Sequence, residues 1–207
     1  MSFFDFQEKQ QTYLADTDIQ LMLEFQKGDK ASFEKLMDKY YKRIVNLVYR
    51  FVGDKDIAED LTQDVFIKVY NDACHYKPKA KFQTWLYQIT RNTCLNELRR
   101  RKHAATSLDK TFEINGNPLK QELADSDSLN PDERIDKKET AQAVREAIAA
   151  LPENQRIAVT LRRYEQLSYD DIAHTMNCSS SSVKSLLSRA KLNLKEKLNG
   201  FIQTDEG

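Results

Sequence analysis

The sequence predicts an all-α protein built as two small helical domains joined by a flexible linker. Three observations carry that expectation. Glycine and proline are scarce, 5 and 4 in 207 residues, and no segment alternates apolar and polar residues over the length of a strand. Apolar residues instead recur at three- and four-residue steps over long segments, as a helix with one buried face requires. A polar, turn-rich stretch at residues 104–136 then interrupts the pattern. The domain boundaries that follow are 18–103 and 137–199, with 104–136 as the linker.

The elements can be justified in order. A short helix is expected from about Asp18 to Gln26. The next carries Phe33, Leu36, Tyr40, Ile44, Leu47 and Phe51 as one stripe, and Gly53 follows where a left-handed cap would end it. A third helix is expected to start at Asp56, with Glu59 three positions on as a capping box, and to bury Ile57, Leu61, Val65, Phe66 and Val69. Pro78 lies in a basic loop, after which a helix from about Phe82 to Lys102 turns Leu86, Ile89, Leu95 and Leu98 inward. The linker contains Asn115-Gly116-Asn117-Pro118, then Asp125-Ser126-Asp127-Ser128, then Asn130-Pro131, which are turn and breaker signals.

The second domain opens with a helix carrying Val144, Ile148 and Leu151, stopped before Pro152. Another begins at that proline and carries Ile157, Leu161 and Tyr164; two shorter helices finish the chain. From Tyr169 to about Leu187 the residues fit a helix-turn-helix. Ser168 can cap the first helix with Asp171 three positions later. Ala173 is the small residue at the helix crossing, and Asn177 supplies the positive φ that the turn needs. Ile172, Met176, Cys178, Val183 and Leu186 occupy the positions to be buried, and Ser179 or Ser180 caps the second helix. Its outward face then shows Ser181, Ser182, Lys184, Ser185, Ser188 and Arg189, short hydroxyls and cations suited to a major groove and its phosphates.

Net charge is zero, yet the charges lie in blocks. From Tyr76 to His103 there are eight basic residues against Glu97, a net of +7. From Ser180 to Gly200 there are five against Glu196, a net of +4. From Asp54 to Asp72 six acids meet two lysines, a net of −4. Separate faces with opposite signs imply different partners. Cys74, Cys94 and Cys178 lie far apart with no histidine at ligand spacing, so each is expected as a reduced thiol in or near a core. No metal and no cofactor are implied. Nothing at the N-terminus resembles a secretory signal and no run suits a membrane helix, so the expected location is the cytoplasm.

Two separate segments resemble one family. Leu151-Pro152-Glu153-Asn154-Gln155-Arg156, Leu161-Arg162, Leu167-Ser168-Tyr169, Asp171-Ile172-Ala173, Val183-Lys184-Ser185 and Ser188-Arg189-Ala190 are similar to region 4 of the extracytoplasmic-function sigma factors of RNA polymerase. Ala58 to Phe66 resembles their region 2.2. Phe82-Gln83-Thr84-Trp85-Leu86, Ile89, Arg91-Asn92 and Leu98-Arg99-Arg100 resemble regions 2.3 and 2.4. The family turn usually has glycine where Asn177 stands, and often a basic residue at Leu186.

The resemblance implies a protein without catalytic residues that binds core RNA polymerase and starts transcription at chosen promoters. Region 2.2 would dock on the polymerase through Asp60, Gln63 and Asp64. Melted −10 DNA would meet Tyr76, Lys77, Phe82, Thr84, Tyr87, Arg91, Asn92, Asn96, Arg99 and Arg100, since unpaired bases stack on aromatics set among cations. Duplex −35 DNA would meet Ser181, Ser182, Lys184, Ser185, Ser188 and Arg189. Trp85 reads more readily as core than as a base platform. An anti-sigma factor is a further implied partner. Two alternatives stand beside this reading: a helix-turn-helix regulator acting without polymerase, and an adaptor whose basic faces only solubilise it.

Overall fold

A computed structural model describes residues 16–107 and 131–202; among these residues it contains eight α-helices, one 3₁₀ turn and no strand. Helix α1 (Thr17–Gln26) is started by Asp16, whose carboxylate accepts from the Asp18 N–H at 2.9 Å. Ile19, Met22 and Phe25 bury one face of it. The buried Asp18 carboxylate accepts from the Tyr40 hydroxyl at 2.6 Å and from Lys39 Nζ at 2.5 and 2.7 Å. These bonds fasten α1 across α2 (Lys30–Val52), and burial together with Asp18 holds the Tyr40 phenol well above its ordinary range.

The stripe read in the sequence is the buried face of α2: Phe33, Leu36, Tyr40, Ile44, Leu47 and Phe51, with Val48 added. Gly53 ends the helix at φ 78°, its N–H donating to the Tyr49 carbonyl at 2.8 Å. The next helix, α3 (Lys55–Asp72), is capped by Asp54 rather than by Asp56. The left-handed Gly53 leaves Asp54 extended, at φ −131° and ψ 128°, and its carboxylate accepts from the Ile57 N–H at 3.1 Å. That is the geometry an N-cap needs, whereas Asp56 already lies in the first turn. Leu61, Val65, Phe66 and Val69 are buried as expected, together with Ala58 and Thr62; Ile57 is half-buried.

A 3₁₀ turn (Ala73–His75) follows, held to α1 by Gln26, whose Nε2 donates to the carbonyls of Ala73 at 2.6 Å and Tyr76 at 3.0 Å. Helix α4 (Phe82–Ser107) extends past Lys102 into the stretch read as linker. Leu86 and Leu95 are buried on it, Ile89 and Leu98 half-buried. Helix α5 (Pro131–Ala149) begins inside that stretch too, because proline is tolerated at the first position of a helix, where its missing N–H has no partner to lose. The remainder of the linker reading lies outside the described residues.

Helix α6 (Glu153–Arg163) starts directly after Pro152, and α7 (Tyr169–Met176) and α8 (Ser180–Ile202) follow. The two short terminal helices of the sequence reading are thus one short helix and one of 23 residues. Tyr164 is exposed rather than core. Helix α6 packs on α2, and α7 on α4. One apolar cluster therefore runs from Ile19 through Tyr87 and Cys94 to Ile157, Leu161, Ile172, Met176 and Val183. The described parts of the two domains share a single core.

Candidate nucleic-acid interface

The helix-turn-helix is built as its residues dictate. The Ser168 hydroxyl accepts from the Asp171 N–H at 3.1 Å and donates to the Asp171 carboxylate at 2.7 Å, a capping pair at the head of α7. Asn177 adopts φ 51° and ψ 52°. The chain folds over this left-handed residue so that the Cys178 N–H reaches the Ala173 carbonyl at 3.0 Å, the bond that closes such a helix end. Ile172, Ala173, Met176 and Val183 are buried and Leu186 is half-buried. Cys178 is exposed, contrary to its expected burial, because it lies one residue beyond the turn and faces solvent.

Ser179, the residue before α8, is the cap of that helix: its hydroxyl accepts from the Ser182 N–H at 3.2 Å. Ser181, Ser182, Lys184, Ser185, Ser188 and Arg189 are all exposed, on the face opposite Val183 and Ala190. Not all of these hydroxyls are uncommitted, since those of Ser181 and Ser182 each lie 2.8 Å from the Ser179 hydroxyl and that of Ser185 donates to the Ser181 carbonyl at 3.1 Å. Lys184 and Arg189 are the cations among these six residues, both exposed.

On α3, Asp60, Gln63 and Asp64 are exposed opposite the buried Leu61 and Val65. Ile67, one turn further along the same face, is 58% exposed. Three- and four-residue spacing puts all four side chains on one strip, an acidic edge flanking an apolar knob.

The strip on α4 differs from the sequence reading. Lys77, Asn92, Asn96, Arg99 and Arg100 are exposed, but Tyr76, Phe82, Thr84 and Tyr87 are buried. Tyr76 and Phe82 belong to an aromatic group within the first domain. The Phe82 ring centroid lies 5.6 Å from that of Tyr40, and Trp85 packs 4.8 Å from Tyr76 and 5.9 Å from Phe82. Neither Tyr76 nor Phe82 therefore presents an open face to solvent here. Trp85, read as core, is half-buried on this group. The Tyr76 hydroxyl is buried with no hydrogen-bond partner, and burial raises its phenol above the ordinary range. Arg100 is held by Glu97 through bonds of 2.7 and 2.9 Å, and Arg101 by the same carboxylate at 3.0 Å. Those arginines hold the Glu97 carboxyl below its usual value.

Tyr87 and Thr84 are covered from the other domain. The Tyr87 hydroxyl donates to Glu165, and the Thr84 hydroxyl lies 3.5 Å from the Asp171 carboxylate. Arg91 is half-buried on the same strip; burial pulls its guanidinium below the ordinary value, and its Nε has no partner. Arg43, Arg50, Tyr164 and Glu165 complete this seam; Tyr164 was read in the sequence as core of its helix, and the other three were missed because none belongs to a local pattern. Of the cysteines only Cys94 is buried, while Cys74 and Cys178 are exposed. No helix among the described residues is long and apolar enough to cross a membrane.

Comparison with known proteins adds to this geometry. Residues 36–104 match the Sigma-70 region 2 family and residues 141–194 the Sigma-70, region 4 family. The chain is 37% identical to the RNA polymerase sigma-H factor of Pseudomonas aeruginosa over 176 residues, covering 85% of this chain and 91% of the relative. It is 34% identical to the ECF RNA polymerase sigma-E factor of Escherichia coli over 193 residues, covering 90% and 97%. In fold it is similar to the sigma factor RpoE of Bartonella quintana, solved with the anti-sigma factor NepR. That match has a TM-score of 0.65 and 24% identity over 81% of this chain and 96% of the other. It is similar also to CnrH, solved with the cytosolic domain of CnrY, at a TM-score of 0.64 and 18% identity over 89% and 99%.

Proposed function

This chain belongs to the extracytoplasmic-function group of the sigma-70 family, and from that premise we propose how its surfaces divide the work of starting transcription. A protein of this family binds core RNA polymerase and directs it to promoters. The acidic strip of α3, Asp60, Gln63 and Asp64 with Ile67 beside it, is the face for the polymerase: carboxylates and an amide suit a basic partner helix, and the bare isoleucine supplies apolar contact. The face of α8 with Lys184 and Arg189 enters the major groove at the −35 element, its serines short enough for the helix to come close.

Helix α4 and the loop before it serve the melted −10 strand. Lys77, Arg91, Asn92, Asn96, Arg99 and Arg100 follow the phosphates, and the aromatic group of Tyr76, Phe82 and Trp85, with Tyr87, lies among those cations. Residues 18–103 act as region 2, 104–136 as the connection and 137–199 as region 4. The chain performs no chemistry of its own, works in the cytoplasm beside the polymerase, and is a target for an anti-sigma factor.

The observation that carries this reading is the pairing on one chain of an exposed acidic helix face with an exposed cationic recognition helix. A helix-turn-helix regulator working alone has no use for the first. Core RNA polymerase is expected to be retained by the immobilised protein, and Asp60→Lys with Asp64→Lys to abolish retention while leaving the fold intact by circular dichroism. Together with core enzyme the wild-type protein is expected to give RNA with defined 5′ ends on a fragmented genomic template. Failure of both assays sinks the proposal.

A further inference from the structure

We infer that Asp170 and Ser180 are positioning residues for promoter reading: their hydrogen bond sets the roll of α8 about its own axis, and so the direction in which Lys184 and Ser188 point. The inference rests on the assignment of α8 to duplex DNA made above. The Ser180 hydroxyl, at the first position of α8, donates to Asp170 Oδ1 at 2.6 Å. That length is typical of a hydroxyl bonded to a carboxylate, the stronger kind of hydrogen bond. It joins the head of the recognition helix to the first turn of α7, ten residues back.

Asp170 is a firm anchor. The capping pair of Ser168 and Asp171 brackets it, so the backbone that carries it is held. Ser180 in turn begins a row. At four-residue steps Ser180, Lys184 and Ser188 lie along one line of the helix. Buried Val183 and Ala190 keep the opposite face against the domain, but apolar contact is non-directional and tolerates a roll. With side-chain tips about 5–6 Å from the helix axis, a roll of about 20° carries each of them about 2 Å, more than a hydrogen bond to a base survives. Tying Ser180 down fixes the whole row.

The other serines at this head are occupied by the helix itself. The Ser179 hydroxyl accepts from the Ser182 N–H, and the hydroxyls of Ser181 and Ser182 each lie 2.8 Å from it. Ser180, unlike those three, is half-buried. The run of four serines therefore shapes and aims the helix, and base choice falls one turn further on, at Lys184, Ser188 and Arg189.

The test uses the full chain with Ser180→Ala, Asp170→Ala, both together, Asp170→Asn and Lys184→Ala. A duplex library with a random central window is passed over the wild type, and the retained DNA is sequenced. Affinities of every variant are then measured for the most enriched duplex and for a shuffled one, and the quantity read is their ratio. Ser180→Ala and Asp170→Ala are each expected to lower that ratio about tenfold, the share of one well-placed base contact. The double variant is expected to lower it no further, since both changes remove the same bond. Asp170→Asn, whose Oδ1 still accepts, is expected to keep the ratio while binding both duplexes more tightly. For Ser180→Ala the dependence of affinity on salt is expected to stay at the wild-type slope, because no phosphate contact is lost. Simple loss of folding would lower both affinities alike and leave the ratio where it was. Should Asp170→Ala lose helix by circular dichroism, Ser180→Thr, which keeps the donor, takes its place beside Ser180→Ala and is expected to keep the ratio.

An unchanged ratio in Ser180→Ala, losses that add in the double variant, or an Asp170→Asn ratio as low as that of Asp170→Ala overturns the inference. Lys184→Ala separates that failure from a failure of the reading beneath it. If Lys184→Ala weakens binding while Ser180→Ala keeps its ratio, only the brace is wrong. If Lys184→Ala binds as the wild type does, or the wild type enriches no sequence, the assignment of α8 falls and takes the inference with it.

Discussion

Asn177 has to be left-handed, and that requirement fixes what can replace it. An alanine there would meet the clash between Cβ and the following carbonyl, costing roughly 1–2 kcal/mol, while glycine would not. Asn177→Ala is therefore expected to lose about 1 kcal/mol in urea unfolding, and Asn177→Gly to stay near the wild type. Cys94 is a second residue whose surroundings decide its chemistry. Burial pushes its thiol up to about 12, so almost none is thiolate at pH 8. With a disulfide reagent at that pH, Cys74 and Cys178 are expected to react quickly and Cys94 only after denaturant is added; three equally fast thiols would contradict its placement. The left-handed turn at Asn177 was legible in the sequence because it follows from local sterics. The fate of the cysteines was not, because three similar residues differ only in what distant segments place over them.

At the scale of the element, boundaries are set by caps, and each cap can be tested. Ser168→Ala removes the hydroxyl that satisfies the Asp171 N–H; a loss of about 1 kcal/mol is expected, together with weaker duplex binding as α7 frays. Gly53→Ala places a Cβ in open space, so its cost is the left-handed backbone alone, about 1 kcal/mol in the same unfolding measurement. Along α8, Lys184→Ala or Arg189→Ala is expected to lower the slope of log binding constant against log salt by about 0.9 on duplex DNA, one phosphate contact fewer. An unchanged slope would place the contact elsewhere.

The helical periodicities were plain in the sequence because a buried stripe repeats every few residues. The start of α3 was misplaced by two residues because Asp54 and Asp56 are both good caps, and the choice depends on the direction in which Gly53 sends the chain. Proline read as a breaker at residue 131 was instead the start of α5, a distinction that depends on which side of the proline the helix lies.

At the scale of the molecule, the shared core makes the two domains one cooperative unit. Calorimetry of the wild type is expected to show one transition with equal van't Hoff and calorimetric enthalpies, and Glu165→Arg to split it into two, as for domains that melt separately. Two transitions in the wild type would mean that the common core contributes little. Reading the sequence as two bodies on a tether followed from composition, which reports what lies between domains but not what they touch. Arg43 and Glu165 are 122 residues apart and look like ordinary surface charges, so no local pattern could pair them. The same ignorance put Thr84 and Tyr87 on an open surface: their chemistry could be read from the chain, their cover could not.

Because one carboxylate answers to both α2 and α4, it behaves as a latch common to two doors. A tilt of α2 strains the Arg43 bond and a tilt of α4 the Tyr87 bond, and both strains end on Glu165. Helix α3 packs on both α2 and α4, so a load placed on it reaches Glu165 through two elements at once.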